Sequence, residues 1–100
     1  MDNCILTIDE IKTAVAPLAQ KYNAAEIYVF GSYARGEANA DSDIDLLVSG
    51  GPAFKPASVF ALAEELSKIL RKNVDMFEIS EINTDSSFYI RIMSEKIRII

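Results

Sequence analysis

The chain has 100 residues, half of them hydrophobic and a quarter charged, which fits one small globular domain, residues 1–100, and excludes a disordered chain. A net charge of −5 and a pI near 4.6 speak against direct nucleic-acid binding, and the lack of any long apolar run excludes a membrane span or signal sequence, so a cytoplasmic address is expected. With no histidine, imidazole general-base catalysis and Cys/His zinc sites are excluded, and the lone Cys4, in an N-terminus expected to fray, has no internal disulfide partner and reads as inert.

In chain order, Thr7-Ile8-Asp9-Glu10 has the form of a capping box, and Ile8, Ile11, Val15, Leu18 and Ala19 follow at helical spacing. Pro17 either kinks that helix or makes it end and restart before Tyr22. Glu26 to Phe30 is a first strand and Ile44 to Val48 a second, closed by the turn residues Ser49-Gly50-Gly51-Pro52. Pro56 to Lys72 reads as a helix whose apolar stripe holds Val59, Phe60, Leu62, Ala63, Leu66, Ile69 and Leu70, with Asn73 as its stop. Val74 to Ile79 is a third strand. After it come a polar connection, Asp85 as an N-cap, a short helix from Phe88 to Met93 with Phe88 and Ile92 turned inward, and an edge strand from Lys96 to Ile100.

The chemistry concentrates between the first two strands. Alternation puts Asp43, Asp45 and Leu47 on one face, and two carboxylates within about 5 Å repel by roughly 3 kcal/mol at an effective dielectric near 20. A divalent cation removes that cost, and carboxylate oxygens without thiolate or imidazole select Mg²⁺ first and Mn²⁺ second. Upstream, Gly31 lets the backbone approach a ligand and Ser32 supplies a hydroxyl and an N–H, an anion site beside the carboxylates. Metal–nucleotide chemistry follows from that pairing. In the third strand Asp75 shares a face with Phe77 and Ile79; it either joins Asp43 and Asp45 from a neighbouring strand or merely follows a helix end.

Gly31-Ser32, the spacer Tyr33 to Ser42 and Asp43-Ile44-Asp45 resemble the signature of the DNA polymerase β-type nucleotidyltransferases. Ala34-Arg35-Gly36 and Ser42-Asp43 resemble one branch, the minimal nucleotidyltransferase (MNT) family, often antitoxins paired with HEPN-domain proteins. The resemblance implies an α/β (α+β) palm-like fold, a mixed sheet with helices mainly on one face. It implies Asp43, Asp45 and Asp75 as catalytic residues around two Mg²⁺ ions, and Gly31 and Ser32 on the β- and γ-phosphates of ATP. Arg35 contacts phosphate or acceptor, or pairs with Glu37 or Asp41 to fix the loop. Ser42, grouped with Gly31, Ser32 and Arg35 as nucleotide- and phosphate-binding, orients the aspartates or turns the chain, and Tyr33 is a packing residue.

The implied reaction moves AMP from ATP onto a hydroxyl, a tyrosine, of a HEPN-domain toxin within a hetero-oligomer and releases pyrophosphate. Nothing in the chain is left over for an acceptor-holding domain, so the acceptor is expected from a partner. The alternatives are a catalytically silent antitoxin that acts by binding, and a small-molecule nucleotidyltransferase working as an oligomer.

Overall fold

Hydrophobic alternation along one strand decides how the layers stack. The computed structural model describes residues 5–100, so Cys4 lies outside the described residues. Its elements are α1 (Ile8–Lys21), β1 (Glu26–Phe30), α2 (Ser32–Arg35), β2 (Ile44–Ser49), α3 (Ser58–Leu70), β3 (Val74–Glu78), a 3₁₀ turn (Ile79–Glu81), α4 (Ser87–Glu95) and β4 (Ile97–Arg98). The sheet order is β3-β2-β1-β4. β1 is antiparallel to β2 and β4, while β3 runs parallel to β2, the two being joined through α3 as a parallel pair requires. The sheet is mixed, as expected.

In β1 and β2, Ile27, Val29, Ile44, Leu46 and Val48 face one way and are fully buried in the cluster that holds Ile11 and Val15 of α1 and Leu62 and Leu66 of α3. The alternate residues Phe30 and Leu47 face the other way and are covered by Ile92 of α4. Thus the two long helices share one face and α4 covers part of the other. β4 gives β1 an outer neighbour, pairing Arg98 with Tyr28 and Ile97 with Val29.

The capping box forms as drawn: Thr7 Oγ1 accepts from the Glu10 N–H at 3.0 Å, and Glu10 Oε1 accepts from the Thr7 N–H at 2.8 Å. α1 does not end and restart at Pro17 but runs through it as one element. Pro17 and Thr13 both lie on the exposed side, so the Thr13 carbonyl that loses its helical donor is open to water.

Five elements differ in their boundaries from the sequence expectation, β2 by running one residue further, to Ser49. α3 starts at Ser58 rather than Pro56 and stops at Leu70, because Arg71 takes the left-handed conformation (φ 56°, ψ 39°) before Asn73 is reached. β3 ends at Glu78, and Ile79 opens the 3₁₀ turn. α4 is longer than Phe88–Met93 and is capped by Ser86, whose Oγ accepts from the Tyr89 N–H, while the Asp85 N–H is taken by Asn83. β4 spans only Ile97–Arg98. The apolar stripe of α3 was also too wide: Phe60 is 79% exposed and Ile69 56%, since a helix on a flat sheet buries only the line through Leu62 and Leu66 and its flanks.

That line sets a stability prediction. Leu62→Ala, at a fully buried side chain, should cost about 3 kcal/mol in urea unfolding, whereas Phe60→Ala should stay within about 0.5 kcal/mol of the parent.

Candidate active site

β1 ends at the buried Phe30, and the next residue determines the shape of the site. Gly31 has φ 74° and ψ −152°, a backbone region closed to side-chain-bearing residues, and a Cβ there would overlap the carboxylate of Asp45. Glycine is therefore required twice at one position. The turn opens α2, which Gly36 ends in the left-handed conformation with its N–H donated to the Tyr33 carbonyl. Tyr33 is buried and its hydroxyl accepts from the Leu6 N–H, the packing role expected of it.

The return to β2 passes through a turn built on Asn39 and Ser42. Ser42 donates its N–H to the Asn39 carbonyl and accepts the Asn39 N–H on Oγ, so of its two expected roles the structure shows the turn. Lys72 Nζ, just beyond α3, donates to the Ala40 carbonyl at 2.9 Å and ties this turn to the approach to β3. Asp43 stands exposed, one residue before β2, and Asp45 lies partly buried inside the strand. Across the sheet Asp45 is in register with Phe30 of β1 on one side and with Asp75 of β3 on the other.

Gly31, Ser32, Arg35, Ser42, Asp43 and Asp45 line one cavity of about 320 Å³. Asp75 is the exception among the expected residues: it neighbours Asp45 in the sheet but does not line the cavity. The lining also includes Phe30, Phe77 and Phe88, whose ring centroids are 5.4–6.0 Å apart, together with Arg91. Among the described residues no group of three acidic side chains forms a ready-made metal cage.

Burial pushes the Asp45 carboxyl up to about 6, the charges of Asp75 and Asp43 add to it, and the Arg35 guanidinium opposes it. Arg35 fixes the loop through Glu37, as one expectation had it, but its second partner is Glu95 of α4 rather than Asp41. The Nε donates to Glu37 at 2.9 Å and Nη1 donates to Glu95 Oε1 at 3.0 Å. Glu95 also takes the Gly31 N–H at 2.6 Å, so the amide expected to face a phosphate is already engaged.

Sequence reasoning missed Arg91 and Glu95. The signal was present: Phe88, Arg91, Ile92 and Glu95 fall at i, i+3, i+4 and i+7, one helical face, but only if the last helix continues past Met93.

The chain matches a family model, polymerase beta nucleotidyltransferase, over residues 13–100. The protein adenylyltransferase MntA of Thermococcus cleftensis is 37% identical over 76 residues, an alignment covering 72% of this chain and 77% of the relative. A toxin–antitoxin crystal structure with AMP-PNP superposes with a TM-score of 0.76 at 22% identity, covering 89% of this chain and 72% of the other. The structure of a tri-AMPylated Shewanella oneidensis HEPN toxin in complex with MNT antitoxin matches with a TM-score of 0.69 at 19% identity, covering 92% and 71%. At these identities the two structures speak for the fold.

The Asp45 environment has a thermodynamic signature. Because its folded pKa lies near 6 against 3.8 for the free group, the folded chain holds the proton more tightly, and the stability that this gives is present below about pH 4 and lost as pH rises through 6. Asp45→Asn should therefore stabilise the metal-free protein at pH 7.5, by on the order of 1 kcal/mol after discounting for partial exposure, and should lose that advantage at pH 4. Thermal unfolding in EDTA at the two pH values checks it; equal melting temperatures at pH 7.5 would mean that the carboxylates are not in conflict.

Proposed function

The chain belongs to the polymerase β nucleotidyltransferase family, and from that premise we propose that it moves AMP from ATP onto a tyrosine hydroxyl of a HEPN-domain toxin, thereby acting as its antitoxin. One observation carries this reading: Asp43 and Asp45 share a single cavity with Ser32 and Arg35, with Asp75 in register beside Asp45. The name of the Thermococcus cleftensis relative and the AMPylated toxin in the Shewanella oneidensis complex support the choice of nucleotide and partner.

The donor set fits Mg²⁺. Asp43 and Asp45 supply hard oxygens at the cavity, with Asp75 in register beside Asp45, and the Asp45 carboxyl, raised first by burial and then by the charges of Asp75 and Asp43, is one that a nearby cation would relieve. A site without a closed cage is in keeping with this ion, which commonly takes one or two carboxylates and completes its shell with phosphate oxygens and water. Asp43 and Asp45 would hold it, with Asp75 alongside, and when bound it supplies charge neutralisation on the phosphates and a lowered pKa at the acceptor hydroxyl.

The chain's own groups do the rest. Ser32 and Arg35 line the cavity, and their hydroxyl and guanidinium are donors of the kind that would orient a triphosphate for in-line attack at its α-phosphorus. Gly31 contributes through its missing side chain, which admits the Asp45 carboxylate. Phe77 lies on the same face of β3 as Asp75 and is 37% exposed, giving an aromatic acceptor a surface next to that carboxylate. No helix among the described residues is long and apolar enough to cross a membrane.

Two measurements test the reading. Mg²⁺ with ATP should raise the melting temperature of the parent by several degrees and leave Asp43→Asn unmoved. Intact mass spectrometry of a HEPN-domain toxin encoded beside this chain, after incubation with Mg²⁺ and ATP, should show AMP-sized increments that vanish in Asp43→Asn and Asp75→Asn. A stable complex without increments would replace transfer by occlusion.

A further inference from the structure

We propose that Glu95 is a positioning residue, a built-in anion that holds the phosphate-facing loop in its working shape; the role rests on the nucleotidyltransferase reading above. Three groups meet at its carboxylate. Oε2 takes the Gly31 N–H at 2.6 Å, and Arg35 Nη1 reaches Oε1 at 3.0 Å and Oε2 at 3.2 Å.

The side chain of Glu95 is only 12% exposed, so an ionised carboxylate there is costly unless donors replace its lost water. Burial alone would raise this carboxyl, yet the Gly31 N–H and the Arg35 guanidinium outweigh it and hold Glu95 below the usual carboxylate range. Both donors come from one short stretch, the turn and helix between β1 and β2, whereas the acceptor comes from a different element that packs on the sheet through the fully buried Ile92. Such a bond fixes one element relative to another rather than capping its own helix.

What it fixes is specific. Gly31 adopts φ 74° and ψ −152°, and Glu95 accepts its peptide N–H while the Asp45 carboxylate occupies the space that a Cβ would take. Arg35 has its fork divided, Nε to Glu37 and Nη1 to Glu95, and the residue lines the cavity. Glu95 itself does not line that cavity, which separates it from the groups that would touch a nucleotide. Its effect on the reaction passes through Gly31 and Arg35.

The two candidate contributions, an acceptor for Gly31 and a charge for Arg35, separate in two substitutions. Glu95→Gln keeps an oxygen for the amide and removes the charge; Glu95→Ala removes both. In ¹⁵N-labelled full chain without nucleotide, the Gly31 amide proton should resonate far downfield in the parent, part of the way back in Glu95→Gln and at an ordinary position in Glu95→Ala. Titration with Mg²⁺ and a non-hydrolysable ATP analogue should then show affinity falling about tenfold or more in Glu95→Ala and less in Glu95→Gln, with melting temperature followed in each.

An unchanged Gly31 amide in either variant overturns the proposal. So does an unchanged affinity in a folded Glu95→Ala, and so does a tighter one, which would make the carboxylate a competitor of phosphate instead of a support. Should Glu95→Ala fail to fold, the nearly isosteric Glu95→Gln decides by the same two readouts. If the parent itself binds no nucleotide, the functional reading fails, and the amide comparison still decides whether Glu95 sets the loop.

Discussion

Room for the Asp45 carboxylate is the constraint on which the rest of the molecule depends. It sits inside β2, between Phe30 of β1 and Asp75 of β3, on a sheet whose other face is the main core. A charged group in that place needs space, and the space comes from the absent side chain of Gly31. Taking a glycine into a positive-φ conformation at the end of β1 throws the chain out of the sheet and directly into α2. Ser32 and Arg35 reach the cavity as a consequence of that exit, so one steric requirement orders both the carboxylate side and the donor side of the site.

The molecule accepts instability here and recovers it elsewhere. Burial makes the Asp45 carboxylate costly, and the charges of Asp75 and Asp43 add to that cost. Against this stand two packed faces. Ile27, Val29, Leu46 and Val48 meet the long helices, and Leu47 and Ile92 meet behind the site. Strain kept at a site and supported by a surrounding core is the usual arrangement where binding or catalysis needs unfavourable local charge.

Most of this was legible in the sequence, for identifiable reasons. Period-two alternation in Glu26–Phe30 and Ile44–Val48 and the capping box at Thr7 act over a few residues, so they are written locally, and so is the Gly31-to-Asp45 spacing. Boundaries set by a single φ angle were not written that way: nothing in Arg71 announces a left-handed residue, and β3 gives way to a 3₁₀ turn at an isoleucine well suited to a strand. The width of the α3 stripe was misjudged at Phe60 and Ile69 because composition cannot say how much of a helix a sheet covers. Glu95 was missed for a different reason. Its bond to Gly31 spans 64 positions, and only the tertiary fold brings the two together.

That span has a consequence during synthesis. At about 5–20 residues per second, the ribosome needs roughly 3–13 s to make the 64 residues that separate Gly31 from the acceptor of its amide. The strand partner that β4 offers β1 comes later still, at Ile97 and Arg98. A nascent chain that has already paired β1 with β2 and folded α3 over them therefore carries the Asp45 pocket with its Gly31 turn unlatched and one edge of β1 bare. The Gly31 turn can therefore be latched only after the residues that form the greater part of the core have been made.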